Sequence, residues 1–193
     1  MFVNESDFVR VIKRAYKAGS LKMEKQMINN ERILIIEGTK WKWQCAMENV
    51  NKKILATLVE LCGFIPEDGE RWNIGKDMDA QSELQSVITW VDVTAEESKV
   101  MDLVLGIPAE GEYRFVNASI DGKRRVKTIS NFLSRMMEGR KLKTEANEIY
   151  LIATEDYMAY TTGDEQLMIY WQQIPVDYPD QIELYTRLEG LEL

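Results

Sequence analysis

The apolar residues of this chain follow two rhythms. Phe8, Val11, Ile12, Ala15 and Tyr16 recur three and four apart, the spacing that gathers side chains on one face of a helix. Asn4 or Ser6 can cap the start of that helix and Gly19 follows its end, while its other face carries Arg10, Lys13, Arg14 and Lys17. The period then shortens. Residues 21–28 and 32–36 read as strands around an Asn29-Asn30 turn, and Gly38 marks a bend or bulge. Beyond it Trp41, Trp43 and Cys45 alternate with Lys40, Lys42 and Gln44, which predicts a strand with one packed side and one wet, lysine-bearing side.

Helical spacing returns with Val50, Ile54, Leu58 and Leu61, predicting a helix over 51–62 that Asn49 or Asn51 caps and that Gly63 and Pro66 end. Residues 66–83 read mostly as loop, with a short strand over 71–76. Residues 84–106 carry two signals: Val87, Ile88, Val91 and Val93 favour strand, whereas Thr94-Ala95-Glu96-Glu97 is a capping box that can open a helix through Leu105. A strand over 113–118 and an Asp121-Gly122 turn come next.

Residues 123–138 are predicted as a helix, with Val126, Ile129, Leu133, Met136 and Met137 on its apolar side and Gly139 as its stop. Residues 149–154, 157–161 and 167–174 read as strands, and an acidic tail with room for a short helix follows Pro175. The fold class is therefore α+β, with two to three amphipathic helices on largely antiparallel sheets in a single domain over 1–193. The order strand, helix, three strands occurs over 40–106 and again over 107–175, which makes a two-fold repeat in which residues 50–63 align with 126–139. Residues 1–39, the first helix and hairpin, precede the repeat, and the acidic tail of 176–193 follows it.

Composition narrows the chemistry. The 193 residues are 45% apolar and 29% charged, values of an ordinary globular domain. There is no histidine, so histidine triads, histidine-ligated metals and imidazole acid–base catalysis are excluded. Cys45 and Cys62 make neither a disulfide framework nor a zinc pattern and read as structural. The sequence contains no phosphate loop, dinucleotide fingerprint or nucleophile elbow. Carboxylate pairs such as Asp77 and Asp79 stand without further ligands. The expectation is a non-enzymatic protein with no cofactor. No run approaches about 18 apolar residues, and the first seven residues lack the basic and apolar regions of a signal peptide. A cytoplasmic protein with no membrane partner is expected.

The net charge of −8 conceals a division. Lysine and arginine stand 11 to 6 against aspartate and glutamate over residues 1–53, 4 to 13 over 54–120, 8 to 3 over 121–145 and 1 to 10 over 146–193. The chain thus sets two basic segments in an acidic body. On the predicted helix over 123–138, Lys123, Arg124, Lys127, Asn131, Ser134 and Arg135 fall opposite the apolar side, and Arg140, Lys141 and Lys143 extend the positive run. Such a face can contact nucleic-acid phosphates without reading bases, for which cations suffice. A solvated face whose cations pair with acidic neighbours competes with that reading. Other accounts of the same composition are an acidic adaptor that binds a basic partner or mimics nucleic acid, and, less well supported, an enzyme using carboxylates and a divalent metal.

Two successive strand–helix–three-strand units, with basic helix faces and strands in acidic sequence, resemble one domain of a DNA sliding clamp, the processivity factor that encircles the duplex. The resemblance covers residues 40–174. It implies that helices line a ring and touch phosphates, that Lys52 and Lys53 on the first helix join Lys123, Arg124, Lys127 and Arg135 on the second as lining residues, and that several copies assemble. In the tail, Gln181-Ile182-Glu183-Leu184-Tyr185 resembles the peptide by which client proteins dock onto bacterial clamps. A terminal helix packing Ile182, Tyr185 and Leu188 on the body accounts for the same residues.

Overall fold

The Asn4 side chain accepts hydrogen bonds from the backbone N–H groups of Ser6 and Asp7, and so starts helix α1, Glu5–Lys17. Phe8, Val11, Ile12 and Ala15 are buried along it, as their spacing predicts. The computed structural model describes residues 2–86, 107–108, 113–120, 123–137, 143–144, 147–148, 150–173 and 187. After α1 come three strands, β1 (Leu21–Ile28), β2 (Glu31–Gly38) and β3 (Trp41–Ala46). Asn29 and Asn30 turn β1 into β2 with φ of 49° and 66°, the left-handed region that a two-residue hairpin requires and asparagine tolerates. At the next turn, a Cβ on Gly38 would fall 2.5 Å from the Trp41 indole nitrogen, so only glycine fits there.

Helix α2, Lys52–Cys62, is capped by Asn51 and closed by Gly63 in the left-handed conformation. Strands β4 (Arg71–Gly75) and β5 (Met78–Glu83) form a hairpin. Three strands follow, β6 (Ile107–Pro108), β7 (Tyr113–Ile120) and β8 (Lys123–Ser130), and then a single helical turn, α3 (Asn131–Ser134), which continues as a 3-10 turn through Met137. The short pair β9 (Lys143–Thr144) and β10 (Asn147–Glu148) precedes a meander of β11 (Tyr150–Ala153), β12 (Tyr157–Thr161) and β13 (Glu165–Tyr170).

Eight of these strands make one antiparallel sheet in the order β11-β12-β13-β3-β2-β1-β4-β5, and β6-β7-β8 make a second. One register row crosses the large sheet through Trp72, Met23, Ile36, Trp43, Leu167, Tyr160 and Leu151. Side chains of α1, α2 and α3 share a core with this row and with Val116, Ala118 and Ile129 of the second sheet. The α+β class is thereby met, with burial of these apolar side chains as its main driving force.

A helix followed by three strands does recur, but in a different frame from the expected one. Helix α1 leads into β1-β2-β3, α3 leads by way of β9 and β10 into β11-β12-β13, and the closing strands β3 and β13 pair, placing Trp43 opposite Leu167. The first helix and hairpin, which the expected repeat left outside, are the first of these units. The expected alignment of helices over 50–63 and 126–139 fails because residues 123–130 are strand.

That strand is the largest departure from the sequence reading. Val126, Thr128 and Ile129 are β-branched and favour a pleated surface. Ile120 pairs with Lys123, so β7 and β8 form a hairpin around positions 121 and 122, where the sequence has Asp-Gly, a strong hairpin signal. Val126, Ile129, Leu133, Met136 and Met137 are nevertheless all buried. The predicted apolar stripe was right in its residues and wrong in its element, because a strand running into one helical turn buries the same set.

Two other expectations change. The lysine side of β3 is not wet: Lys42 is 8% exposed and Gln44 1%, since β3 is central in the sheet and buried on both faces. Residues 78–83, read as loop, form edge strand β5, whose exposed polar side chains gave no apolar alternation. The ambiguous region over 87–106, the Asp121-Gly122 turn itself and the acidic tail, including Gln181–Tyr185, lie outside the described residues, Arg187 excepted.

The second face of the large sheet is polar yet largely buried. Its central row runs Glu83, Arg71, Glu24, Ile35, Gln44, Gln166, Thr161 and Tyr150. The Arg71 guanidinium donates to Glu24 at 2.8 Å, Glu37 at 3.1 Å and Glu83 at 3.1 Å, and the Gln44 amide donates to Gln166 at 2.8 Å. Burial pushes the Glu24 carboxyl up, but hydrogen bonds from Ser86, Arg71 and Gln26 outweigh it and hold Glu24 below the usual carboxylate range.

Burial pushes the Cys45 thiol up to about 12, with the Glu165 charge adding to the effect, and the Cys62 thiol up to about 11. Thiolate is the reactive form. Neither cysteine is expected to react with a disulfide reagent at neutral pH while the protein is folded, and both should react promptly in denaturant. Rapid labelling of Cys45 in the native protein would contradict its burial.

Candidate functional site

The described residues among the ten proposed from sequence are distributed over α2, β8, the α3 turn and β9. Lys123, Arg124 and Lys127 lie on β8, where Lys123, Arg125 and Lys127 share one side by alternation. Arg125, which helical projection passed over, is exposed there. Lys127 has an acidic neighbour: its Nζ lies 2.9 Å from Glu155 Oε2 and donates to the Glu155 carbonyl at 3.4 Å. The Lys127 hydrogen bond in turn holds the Glu155 carboxyl below its ordinary range. With the Glu155 side chain 63% exposed, this is a surface pair like that of Arg10 and Asp7.

Asn131 opens α3 and Arg135 begins the 3-10 turn with its side chain exposed. Lys52 and Lys53 are exposed in the first turn of α2, and Lys53 Nζ donates to Ser6 Oγ at 3.4 Å. Lys143 lies on β9, whereas Arg140 and Lys141 fall outside the described residues.

The folded chain assembles a cationic face at another place, from α1. Arg10, Lys13, Arg14 and Lys17 occupy one side of that helix by their spacing, and Arg10, Arg14 and Lys17 are exposed. Arg10 has Asp7 2.9 Å away, but the arginine side chain is 66% exposed, and such a pair contributes little. The Arg14 guanidinium carbon sits 5.0 Å from the centre of the Phe132 ring in α3, a cation–π contact. The Asn4 backbone N–H donates to the Met136 carbonyl at 2.7 Å, so α1 is also fixed to the turn that carries Arg135. The two basic segments of the sequence therefore meet where α1 packs on α3.

Behind that contact lies a cavity of about 240 Å³, lined among others by Arg14, Lys40, Tyr113, Ser130 and Phe132. Sequence reasoning placed the α1 cations on an outward helix face without treating them as a site. The positive balance of residues 1–53 was the available signal. What the sequence did not give was the partner of that face, which lies more than a hundred residues away.

No family model matches this chain, and no curated protein does. Among the described residues, no helix is long and apolar enough to cross a membrane. Solved structures do superpose on it. A candidate DNA polymerase III beta subunit from Eubacterium rectale ATCC 33656 matches with a TM-score of 0.41 and 10% identity over 92% of this chain and 64% of its own length. DNA polymerase III beta chain from Streptococcus pneumoniae TIGR4 matches with a TM-score of 0.38 and 10% identity over 94% of this chain and 66% of its own. Each match thus takes in less than two thirds of the other chain. At these identities and TM-scores the likeness assigns no family, residue or activity here.

Proposed function

We propose that this protein is a non-catalytic binding protein that associates with nucleic acid through the phosphate backbone, using the exposed face of α1 together with Arg135. The observation that carries the reading is the meeting of the two basic segments: Arg14 of the first lies over Phe132 of the second, in a chain whose net charge is −8. The α1 cations form a locally positive face in an acidic chain, which favours the approach of a polyanion there. Such contacts neutralise phosphates with little preference for sequence.

Fluorescence anisotropy of a labelled duplex, titrated at low and moderate salt, tests this directly. Affinity should fall as salt rises. The Arg10→Glu/Lys17→Glu variant should bind at least tenfold more weakly on every duplex sequence, whereas Lys127→Glu, already paired with Glu155 in the native protein, should change affinity much less. Equal binding by wild type and the α1 variant would remove this face from consideration. The sliding-clamp form of the proposal adds assembly of several copies. Light scattering reads that separately, and a strict monomer at high concentration would remove the clamp form while leaving backbone binding in place.

A further inference from the structure

We infer that the cavity between α1, the β2–β3 turn and α3 is a binding site for a terminal phosphate group of nucleotide size. The inference deepens the reading of α1 as a phosphate-contacting face and rests on it through Arg14, which belongs to both. Arg14 and Lys40 bring two exposed cations to the cavity, Thr39, Tyr113 and Ser130 bring hydroxyls, and no carboxylate is among the described residues that line it. In a chain with 32 acidic residues that lining is selective for anions. Arg14 is held in place by Phe132, so its planar fork is partly pre-organised to bind phosphate oxygens.

Lys40 adds a second mark. It occupies the left-handed region at φ 67°, where a glycine or asparagine would sit with less strain. The Lys40 carbonyl accepts a hydrogen bond from Tyr170 N–H at 3.0 Å, which fixes this turn to the sheet. The chain thus keeps a long cation at a backbone position that disfavours it, at the mouth of the cavity. Strain retained in this way accompanies binding sites. At about 240 Å³ the cavity falls below the volumes of roughly 300–1,000 Å³ that take drug-sized ligands, and so suits one small phosphorylated unit. A doubly charged terminal phosphate gains more from two cations than a singly charged diester does.

Two sources offer that chemistry, the phosphorylated end of a nucleic-acid strand and a free nucleotide. The test uses the full chain with a short labelled single strand carrying either a 5′-phosphate or a 5′-hydroxyl, and a nucleoside monophosphate as competitor. The 5′-phosphorylated strand is expected to bind about tenfold more tightly than its hydroxyl counterpart. Arg14→Gln and Lys40→Asn, the second compatible with the left-handed backbone, should each erase that ratio. Arg10→Glu/Lys17→Glu should weaken both strands alike and leave the ratio intact. If the monophosphate itself binds and is lost in Arg14→Gln and Lys40→Asn, the site stands with a free nucleotide as its ligand.

A ratio of one together with no mononucleotide binding overturns the inference, as does a ratio or mononucleotide binding that survives in both cavity variants. Duplex binding is read independently by the α1 variant, so the cavity can fail while the backbone reading stands. All altered side chains are exposed, and unchanged melting temperatures identify variants that remain folded.

Discussion

Replacing Arg71 by methionine is expected to destabilise the fold by roughly 3–5 kcal/mol, the cost of leaving a buried charge without its partner. Glu24 is 1% exposed and accepts from Arg71 at 2.8 Å. The same guanidinium also serves Glu37 and Glu83, but these are 30% and 29% exposed and Glu83 keeps Lys22 at 3.0 Å, so the penalty falls mainly on Glu24. Ser86 and Gln26 still donate to Glu24, but neutral donors do not cancel its charge. Urea denaturation of wild type, Arg71→Met and Glu24→Gln/Arg71→Met decides the point. The double variant should recover much of the loss, because removing both charges removes the penalty. A loss below about 1 kcal/mol in Arg71→Met, the scale of an exposed ion pair, would show that this face is wetter than its burial indicates. The deficit should also shrink in acid, where Glu24 without Arg71 takes up a proton.

How much of this was legible in sequence depended on whether a residue's role is local. A cap at Asn4 or Ser6 and another at Asn49 or Asn51, Gly63 as a stop and the Asn29-Asn30 turn follow from backbone chemistry within a few residues, and the fold uses Asn4, Asn51, Gly63 and that turn. The buried residues were legible too, even at 126–137, where the element was misassigned, because burial follows apolar character, although on the strand Val126 and Ile129 fall on opposite faces. The Arg71 cluster was not legible. Glu24, Glu37, Arg71 and Glu83 come together only through the pairing of β2, β1, β4 and β5, and β5 has no apolar alternation to announce it. Lys42 shows the same limit: alternation gave its side of the strand correctly, while the burial of that side is set by the position of β3 at the middle of eight strands.

The candidate site divides in the same way. The Lys123–Lys127 run was legible as charge, but its strand geometry and the Lys127–Glu155 pair depend on a hairpin and on a distant turn. The α1 cations were visible from the first periodicity. Their meeting with Phe132 and Lys40 is long-range, and it turns a solvated helix face into the wall of a cavity.

Stability is expected to rise as the pH is lowered from neutrality toward the ordinary glutamate range and to fall below it, with Glu165 carrying the rise. Glu165 is 3% exposed. Burial pushes its carboxyl up, and hydrogen bonds from the Trp43 indole and the backbone N–H groups of Phe2 and Val3 offset only part of that. A carboxyl raised in the folded state binds its proton more tightly there than in the unfolded chain. The stability this gives is fully present below the unfolded value near 4.5 and is lost as the pH rises through the folded value. Glu24 acts in the opposite sense: its carboxyl is held down, so its contribution is present above 4.5 and lost as the pH falls through its folded value. The chain has no histidine, so no imidazole titration overlies the rise. Trp43→Phe separates the parts, since it keeps an aromatic ring in the core and removes the indole N–H that donates to Glu165 at 2.8 Å. At neutral pH that variant should lose about 1–3 kcal/mol, the cost of depriving a buried acceptor of its donor. Its deficit should narrow as the pH approaches 4.5, because a protonated Glu165 carries no charge for the indole to stabilise. Melting temperatures of both proteins across the acid range read this directly, and a deficit constant with pH would mean that Trp43 contributes packing alone and that Glu165 is not the group that titrates.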